Sequence, residues 1–190
     1  MREGQTKTVR DGRAFAAPDL CYTALFAALI AVMAQISIPM PGGVPMTLQT
    51  LAVPLAGLIL GRKRGTAAVL LYLLLGLVGL PVFAGMKGGP GILLGVTGGF
   101  LFSFPLMAYT AGLAADKKLR DLRLWGLLIL GTLLNYAVGT AWYMLLSGNG
   151  LLPALAACVI PFIPTTVIKI VLTGLLGHLL KSALCRAGLL

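Results

Sequence analysis

The sequence predicts an all-α membrane protein, a bundle of six transmembrane helices with both termini on the cytoplasmic side. Three observations carry this reading. Of the 190 residues, 58% are hydrophobic and only 11% charged, where a soluble domain carries about 25% charge; the mean hydropathy is +0.97. The apolar runs are too long and too unalternated for a transmembrane β-barrel. The formal charge of +10 is gathered into short basic clusters between those runs. That is the pattern of cytoplasmic loops, not of a nucleic-acid surface, so no nucleic-acid partner is expected. The length allows a single integral membrane domain over residues 1–190, with 1–19 as a cytoplasmic tail and 20–181 as the bundle.

Taken in order, residues 1–19 are polar and basic, with Arg2, Lys7, Arg10 and Arg13. The first span covers Leu20–Ile38. It ends in Pro-Met-Pro-Gly-Gly, not in a small-residue cleavage site, and so reads as a retained helix. From Gln35 to Gln49, three prolines and the pair Gly42-Gly43 break any helix. Gln35, Ser37, Thr47 and Gln49 place hydrogen-bonding groups among apolar neighbours there. The stretch is either a plain outer turn or a loop folded over a cavity, since irregular backbone at a bilayer needs protein cover or water. Span two, Thr47–Leu60, is short and leads into Arg62-Lys63-Arg64. Span three covers Thr66–Phe83, an outer loop Ala84–Gly91, and span four Ile92–Ala115. A basic loop, Asp116–Arg123, precedes span five, Leu124–Leu146, and the turn Ser147–Gly150.

The stretch Leu151–Leu180 is too long for one untilted span of about 20 residues, and Pro161 and Pro164 divide it. Proline suits the first turn of a helix. Leu151–Phe162 is therefore a short covering helix and Thr165–Lys181 is span six. With this topology, 13 of the 15 Lys and Arg residues fall on the cytoplasmic side; Lys87 lies outside and Lys169 within a span. The outer segments, Pro39–Pro45, Ala84–Gly91 and Ser147–Ile163, are rich in Gly or Pro and can gather over a cavity that opens outward.

Lys169 is the sharpest chemical signal. No carboxylate lies within any span, and an intramembrane charge is costly and usually functional. The alternative is a lysine snorkelling to the outer surface. Thr165 and Thr166 fall in the first turn of span six, where free backbone N–H groups favour negative charge. Thr166 and Lys169 share a face, a place for a ligand carboxylate. Asn135, with Tyr136 beside it, needs buried partners and either joins two helices or meets a ligand. Tyr143, next to Trp142, belongs to an aromatic belt or stacks on a ligand. Thr47 and Gln49 open span two and can face inward; Phe83 and Met86 flank the second outer loop. In span one, Ala24-x-x-x-Ala28 and Ala27-x-x-x-Ala31 lay small side chains along one face that permits close helix approach, within the bundle or against a partner.

Other chemistry finds little support. Cys21, Cys158 and Cys185 show no CxxC or Cys/His spacing and read as free thiols, so no metal or other cofactor is expected. No Walker A motif, GxSxG, HExxH or carboxylate pair occurs, so the chain is not expected to be an enzyme. A proton-driven carrier would usually carry an intramembrane acid.

Pro39-Met-Pro-Gly-Gly-Val-Pro-Met-Thr-Leu-Gln-Thr-Leu-Ala-Val53 strongly resembles the signature of the BioY proteins, the biotin-binding S components of energy-coupling-factor (ECF) transporters. Leu71–Ala84, Gly95-Val-Thr-Gly-Gly99 and Pro161-Phe-Ile-Pro164 through Lys169 resemble further family segments, and the resemblance spans Leu20–Leu180. It implies a six-helix S-component fold, a biotin pocket near the outer face, and three partners: a transmembrane coupling subunit and two cytoplasmic ATPases. It also implies that Ala24, Ala27, Ala28 and Ala31 dock on the coupling subunit. Two positions depart from the family pattern. Thr166 stands where the family commonly carries Asp, and Gly85 or a neighbour stands where an outer-loop Asn is expected. The expected function is ATP-dependent biotin capture without catalysis. The alternatives are another small carboxylated vitamin or a biotin precursor on the same scaffold, and a stand-alone secondary carrier.

Overall fold

The computed structural model describes residues 17–40, 42–115, 117–118 and 121–187. The basic tail with Arg2, Lys7, Arg10 and Arg13, and Asp116 and Arg120 of the inner loop, lie outside the described residues.

Helix α1 spans Ala17–Gln35. The proline- and glycine-rich stretch then forms a small hairpin: β1, Ser37–Ile38, pairs antiparallel with β2, Met46–Thr47, Ser37 opposite Thr47. Helix α2 runs Gln49–Leu77 but is broken at Gly61 (φ 79, ψ 171). The positive φ is one that glycine adopts without strain, and it reverses the chain. A methyl on Gly65 would meet the backbone of Gly57, which in a continuous helix would lie about 12 Å away. The limbs 49–60 (α2a) and 62–77 (α2b) are thus two antiparallel rods joined without a loop. Arg62-Lys63-Arg64, expected as a connecting loop, opens α2b instead.

Helix α2b stops at Leu77, short of the expected Phe83. Residues 78–89 are irregular and carry one bridge, Phe83 to Lys87. The start expected for span four is also broken: α3, Pro90–Leu93, is a single turn, and α4 begins only at Gly98 and ends at Leu113. Gly91, Gly95, Gly98 and Gly99 all weaken a helix here. Helix α5 spans Leu122–Ser147 and α6 Leu151–Cys158; a 3₁₀ turn at Ile160–Phe162 leads into α7, Ile163–Arg186, with Pro164 in its first turn.

Helix α2 is central, packed between α1 and α4; α4 packs on α5, and α7 lies against α2. Among the described residues, three stretches are long and apolar enough to cross a membrane, Ala17–Gln35, Leu122–Ser147 and Leu151–Arg186, with Gly98–Leu113 shorter but apolar. Leu25, Val32, Leu133, Leu145, Val167 and Ile168 all point outward and are more than half exposed. Soluble proteins do not leave so large an apolar perimeter uncovered. This is a multi-pass, all-α membrane bundle.

Arg64 pairs with Asp19 at 2.8 Å, and the Lys181 ammonium donates to the Ala115 carbonyl at 2.6 Å. The start of α1, the α2 reversal, the end of α4 and the end of α7 therefore meet at one end, and the hairpin and the 78–89 segment lie at the other. On α1 the inner stripe is Thr23, Phe26, Ala27, Ile30 and Ala34. Ala24 and Ala28 face outward and Ala31 is half-buried, but Ala27 is 1% exposed. The helical repeat places Ala27 in the core, so it is not part of an outer docking face.

Candidate functional site

A cavity of about 260 Å³ opens among the hairpin, the 78–89 segment, the broken start of α4, and the outer parts of α5, α6 and α7. It exists because proline and glycine stop the helices here, leaving irregular backbone to wrap a space that straight rods would close.

Lys169 stands on α7, with only 8% of its surface exposed. Its Nζ donates to the Thr47 carbonyl at 2.7 Å and to the Thr50 Oγ1 at 3.0 Å. The carbonyl is available because Thr47 ends β2 just before α2 begins, where the backbone is not engaged in a helix. Two of the three ammonium N–H groups are thus used to fasten α7 to the hairpin, and the third remains. The Thr47 hydroxyl donates to Gln49 Oε1 at 2.9 Å, and Gln49 Nε2 donates to the Tyr72 hydroxyl. The Tyr72 ring meets Phe83 edge-on, centroids 5.5 Å apart at 85°. Phe83 lies flat enough on α2b that a methyl on Gly76 would overlap its ring. A polar chain therefore runs from Lys169 through Thr47 and Gln49 to an aromatic pair.

Across the cavity, Asn135 of α5 donates to the Phe100 carbonyl at 3.0 Å and to Ser103 Oγ at 2.7 Å. It joins α4 to α5, and its own carbonyl oxygen has no protein partner among the described residues. Tyr136 and Thr166 share a hydrogen bond of 2.5 Å between hydroxyls, tying α5 to α7. Trp142 donates to the Gly95 carbonyl at 3.0 Å and so holds the broken segment before α4 in place.

Six of the eight residues expected at a binding site line this cavity: Thr47, Gln49, Phe83, Asn135, Thr166 and Lys169. Two do not. Met86 points outward, 65% exposed, at the tip of its loop with φ 55. Tyr143 is 6% exposed and packs with Val44, Ala154, Cys158 and Phe162; of these Val44, Cys158 and Phe162 line the cavity, and Tyr143 supports that wall from behind. Several lining residues were not anticipated as site residues. The sequence marks Tyr136 only by its place in span five, Lys87 only as an outer charge and Cys158 only as a thiol, yet all three line the cavity. The cavity wall holds two lysines and no carboxylate among the described residues. Such a wall suits an anionic ligand with apolar bulk and a few neutral polar groups.

The chain is similar to known proteins in sequence and in fold. The family model for the BioY family matches residues 5–186. The biotin transporter BioY of Thermotoga maritima is 42% identical over 160 residues, covering 83% of this chain and 92% of its own. The biotin transporter BioY of Rhodobacter capsulatus is 41% identical over 167 residues, covering 81% and 88%. Among solved structures, the 2.1 Å crystal structure of the S component for biotin from an ECF-type ABC transporter superposes with a TM-score of 0.77. The two are 30% identical, and the match covers 86% of this chain and 90% of that one. With its signature stretch wrapped around the cavity and a family match along nearly its whole length, the chain belongs to the BioY family.

Proposed function

We propose that this protein is the biotin-capture subunit of an ECF transporter and that the cavity under the hairpin is its ligand site. The observation that carries the reading is the fastening of Lys169 to the Thr47 carbonyl and Thr50, which closes the cavity with the family's signature stretch. Thr47, Gln49, Phe83, Asn135, Thr166 and Lys169 contact ligand; Met86 and Tyr143 do not. The chain forms one membrane domain of six spans, counting α2a and α2b separately, with both termini cytoplasmic. It binds and releases ligand without catalysing a reaction. Energy comes from a transmembrane coupling subunit and two cytoplasmic ATPases, with Ala24, Ala28 and the half-buried Ala31 of α1 as the docking face.

The test is calorimetry of the detergent-purified chain with biotin. Nanomolar binding at one ligand per chain, about −12 kcal/mol, is expected, and absence of binding overturns the reading. A second reading, another small carboxylated vitamin or a biotin precursor, is favoured by one observation. Thr166 occupies the position of the family's usual Asp and is hydrogen-bonded to Tyr136. A competitor that outranks biotin in a displacement panel would establish it. Uptake into vesicles without any ATPase would instead establish a stand-alone carrier.

A further inference from the structure

The end of the bundle opposite the cavity carries chemistry of its own. The loopless reversal at Gly61 makes Arg62-Lys63-Arg64 the first turn of α2b. A methyl on Gly112 would overlap the Arg62 backbone, so this turn sits against the end of α4. Lys117 and Lys118 follow α4 on a short connection held by turns: the Lys117 amide donates to the Ala114 carbonyl and the Asp121 amide to the Lys118 carbonyl, both at 2.9 Å. Lys181 reaches the same place from α7 through its bond to the Ala115 carbonyl. Segments far apart in sequence thus bring positive charge to one end, on fixed backbone.

The carboxylates there do not neutralise it. Among the described residues they are Asp19 and Asp121, and both are engaged. Asp19 pairs with Arg64 at 2.8 Å, and Asp121 caps α5 by accepting from the Arg123 amide at 2.9 Å. Arg62, Lys63, Lys118 and Arg123 are exposed, and their charged groups meet no hydrogen-bond or ion-pair partner among the described residues. Like charges held on one patch repel one another, and a bound anion relieves that repulsion.

The surroundings select the anion. Leu122 and Leu180 directly precede Arg123 and Lys181 and are exposed, as is Leu113 at the end of α4. Trp125, one turn into α5, is of the residue type that marks a membrane interface. The cationic groups therefore begin where the lipid-facing side chains end, at headgroup depth. From this arrangement we infer that the α2 reversal, the 117–118 connection and the start of α5 form a headgroup site for an anionic phospholipid. Such a lipid offers both parts the surface asks for: phosphate oxygens for Arg and Lys, and acyl chains for the leucines beside them. A free phosphate lacks the chains, and an acidic protein surface leaves the leucines unexplained. On the orientation proposed above, the site faces the cytoplasmic leaflet, whose surface carries the anionic lipid.

The experiment titrates the intact chain, purified in a neutral detergent, with phosphatidylglycerol or phosphatidylcholine of identical acyl chains, and native mass spectrometry reads the retained lipid. Glycerol phosphate supplies the anion without the chains, and polyglutamate stands in for an acidic protein surface. Wild type is compared with Lys118→Gln and with the triple variant Arg62→Gln, Lys63→Gln, Lys118→Gln. The replaced side chains are exposed, so both variants should unfold close to the wild-type temperature. Wild type should hold phosphatidylglycerol more tightly than phosphatidylcholine, and salt should weaken only the former. Each charge removed should weaken phosphatidylglycerol about fivefold, so K118Q loses that much and the triple variant on the order of a hundredfold, with phosphatidylcholine unchanged. Equal retention of the two lipids by wild type overturns the inference, and so does a triple variant that keeps the wild-type preference. Displacement of phosphatidylglycerol by an equal concentration of glycerol phosphate overturns it in favour of a free anion. Retention of polyglutamate without any preference between the lipids overturns it in favour of an acidic protein partner.

Discussion

Replacing Lys169 with methionine keeps an unbranched side chain one atom shorter and removes the charge. The ammonium donates at 2.7 Å to the Thr47 carbonyl and at 3.0 Å to Thr50, and each bond from a charged donor contributes about 1.5–3 kcal/mol. Against that loss stands the cost of keeping an ammonium buried, which is itself several kcal/mol and vanishes with methionine. The two effects are similar in size and opposite in sign. The ligand-free protein should therefore unfold in detergent within a few degrees of wild type. Ligand binding has no such compensation. The third N–H is lost, at about 1.5–3 kcal/mol, so the dissociation constant for biotin should rise roughly ten- to hundredfold. Calorimetry gives the affinity, and thermal unfolding with and without biotin gives the stability. Affinity within about twofold of wild type, less than 0.5 kcal/mol, would remove Lys169 from the site. A collapse of ligand-free stability would show that the strut outweighs the burial cost and refute the cancellation.

Three further outcomes follow from local geometry. Met86 adopts φ 55 with its side chain 65% exposed, so Met86→Gly should stabilise the protein by about 1 kcal/mol, read as a higher unfolding midpoint. Gln35→Ala removes the three bonds that hold the 82–86 backbone and should speed hydrogen exchange at the Phe83 and Lys87 amides while leaving α4 and α5 unchanged. Gly61→Val places a β-branched residue at φ 79 and should lower stability by about 2 kcal/mol, measured by thermal unfolding.

The bundle was readable from the chain because the bilayer imposes long apolar segments and the basic clusters punctuate them. Helices α1, α5 and α7 fall within a few residues of expectation. The loopless reversal at Gly61 was not readable, since three consecutive basic residues look like a loop whether or not they belong to a helix. At the site, Lys169 and the Thr47–Gln49 pair stood out as polar groups in apolar surroundings. Met86 and Lys87 show the limit. Adjacent residues on a short hairpin point to opposite faces, and only the Phe83–Lys87 bridge determines which of them faces in. Ala27 fails similarly: the four alanines form one stripe on α1, Ala27 lies at its edge, and packing against α2 turns that edge into the core.

The strut from Lys169 to Thr47 joins residues 122 positions apart, and this bears on how the protein is made. Synthesis runs from the N-terminus, so the hairpin emerges well before its fastener. At about 5–20 residues per second, the Thr47 carbonyl waits roughly 6–24 s for Lys169 to leave the ribosome. During that interval α1, α2 and α4 can insert and pack, because their mutual contacts are complete without α7. The cavity cannot close until the last helix arrives. A nascent chain stalled before α7 would thus present a packed helical half with an unfastened outer hairpin, a form that membrane quality control can distinguish from the finished protein.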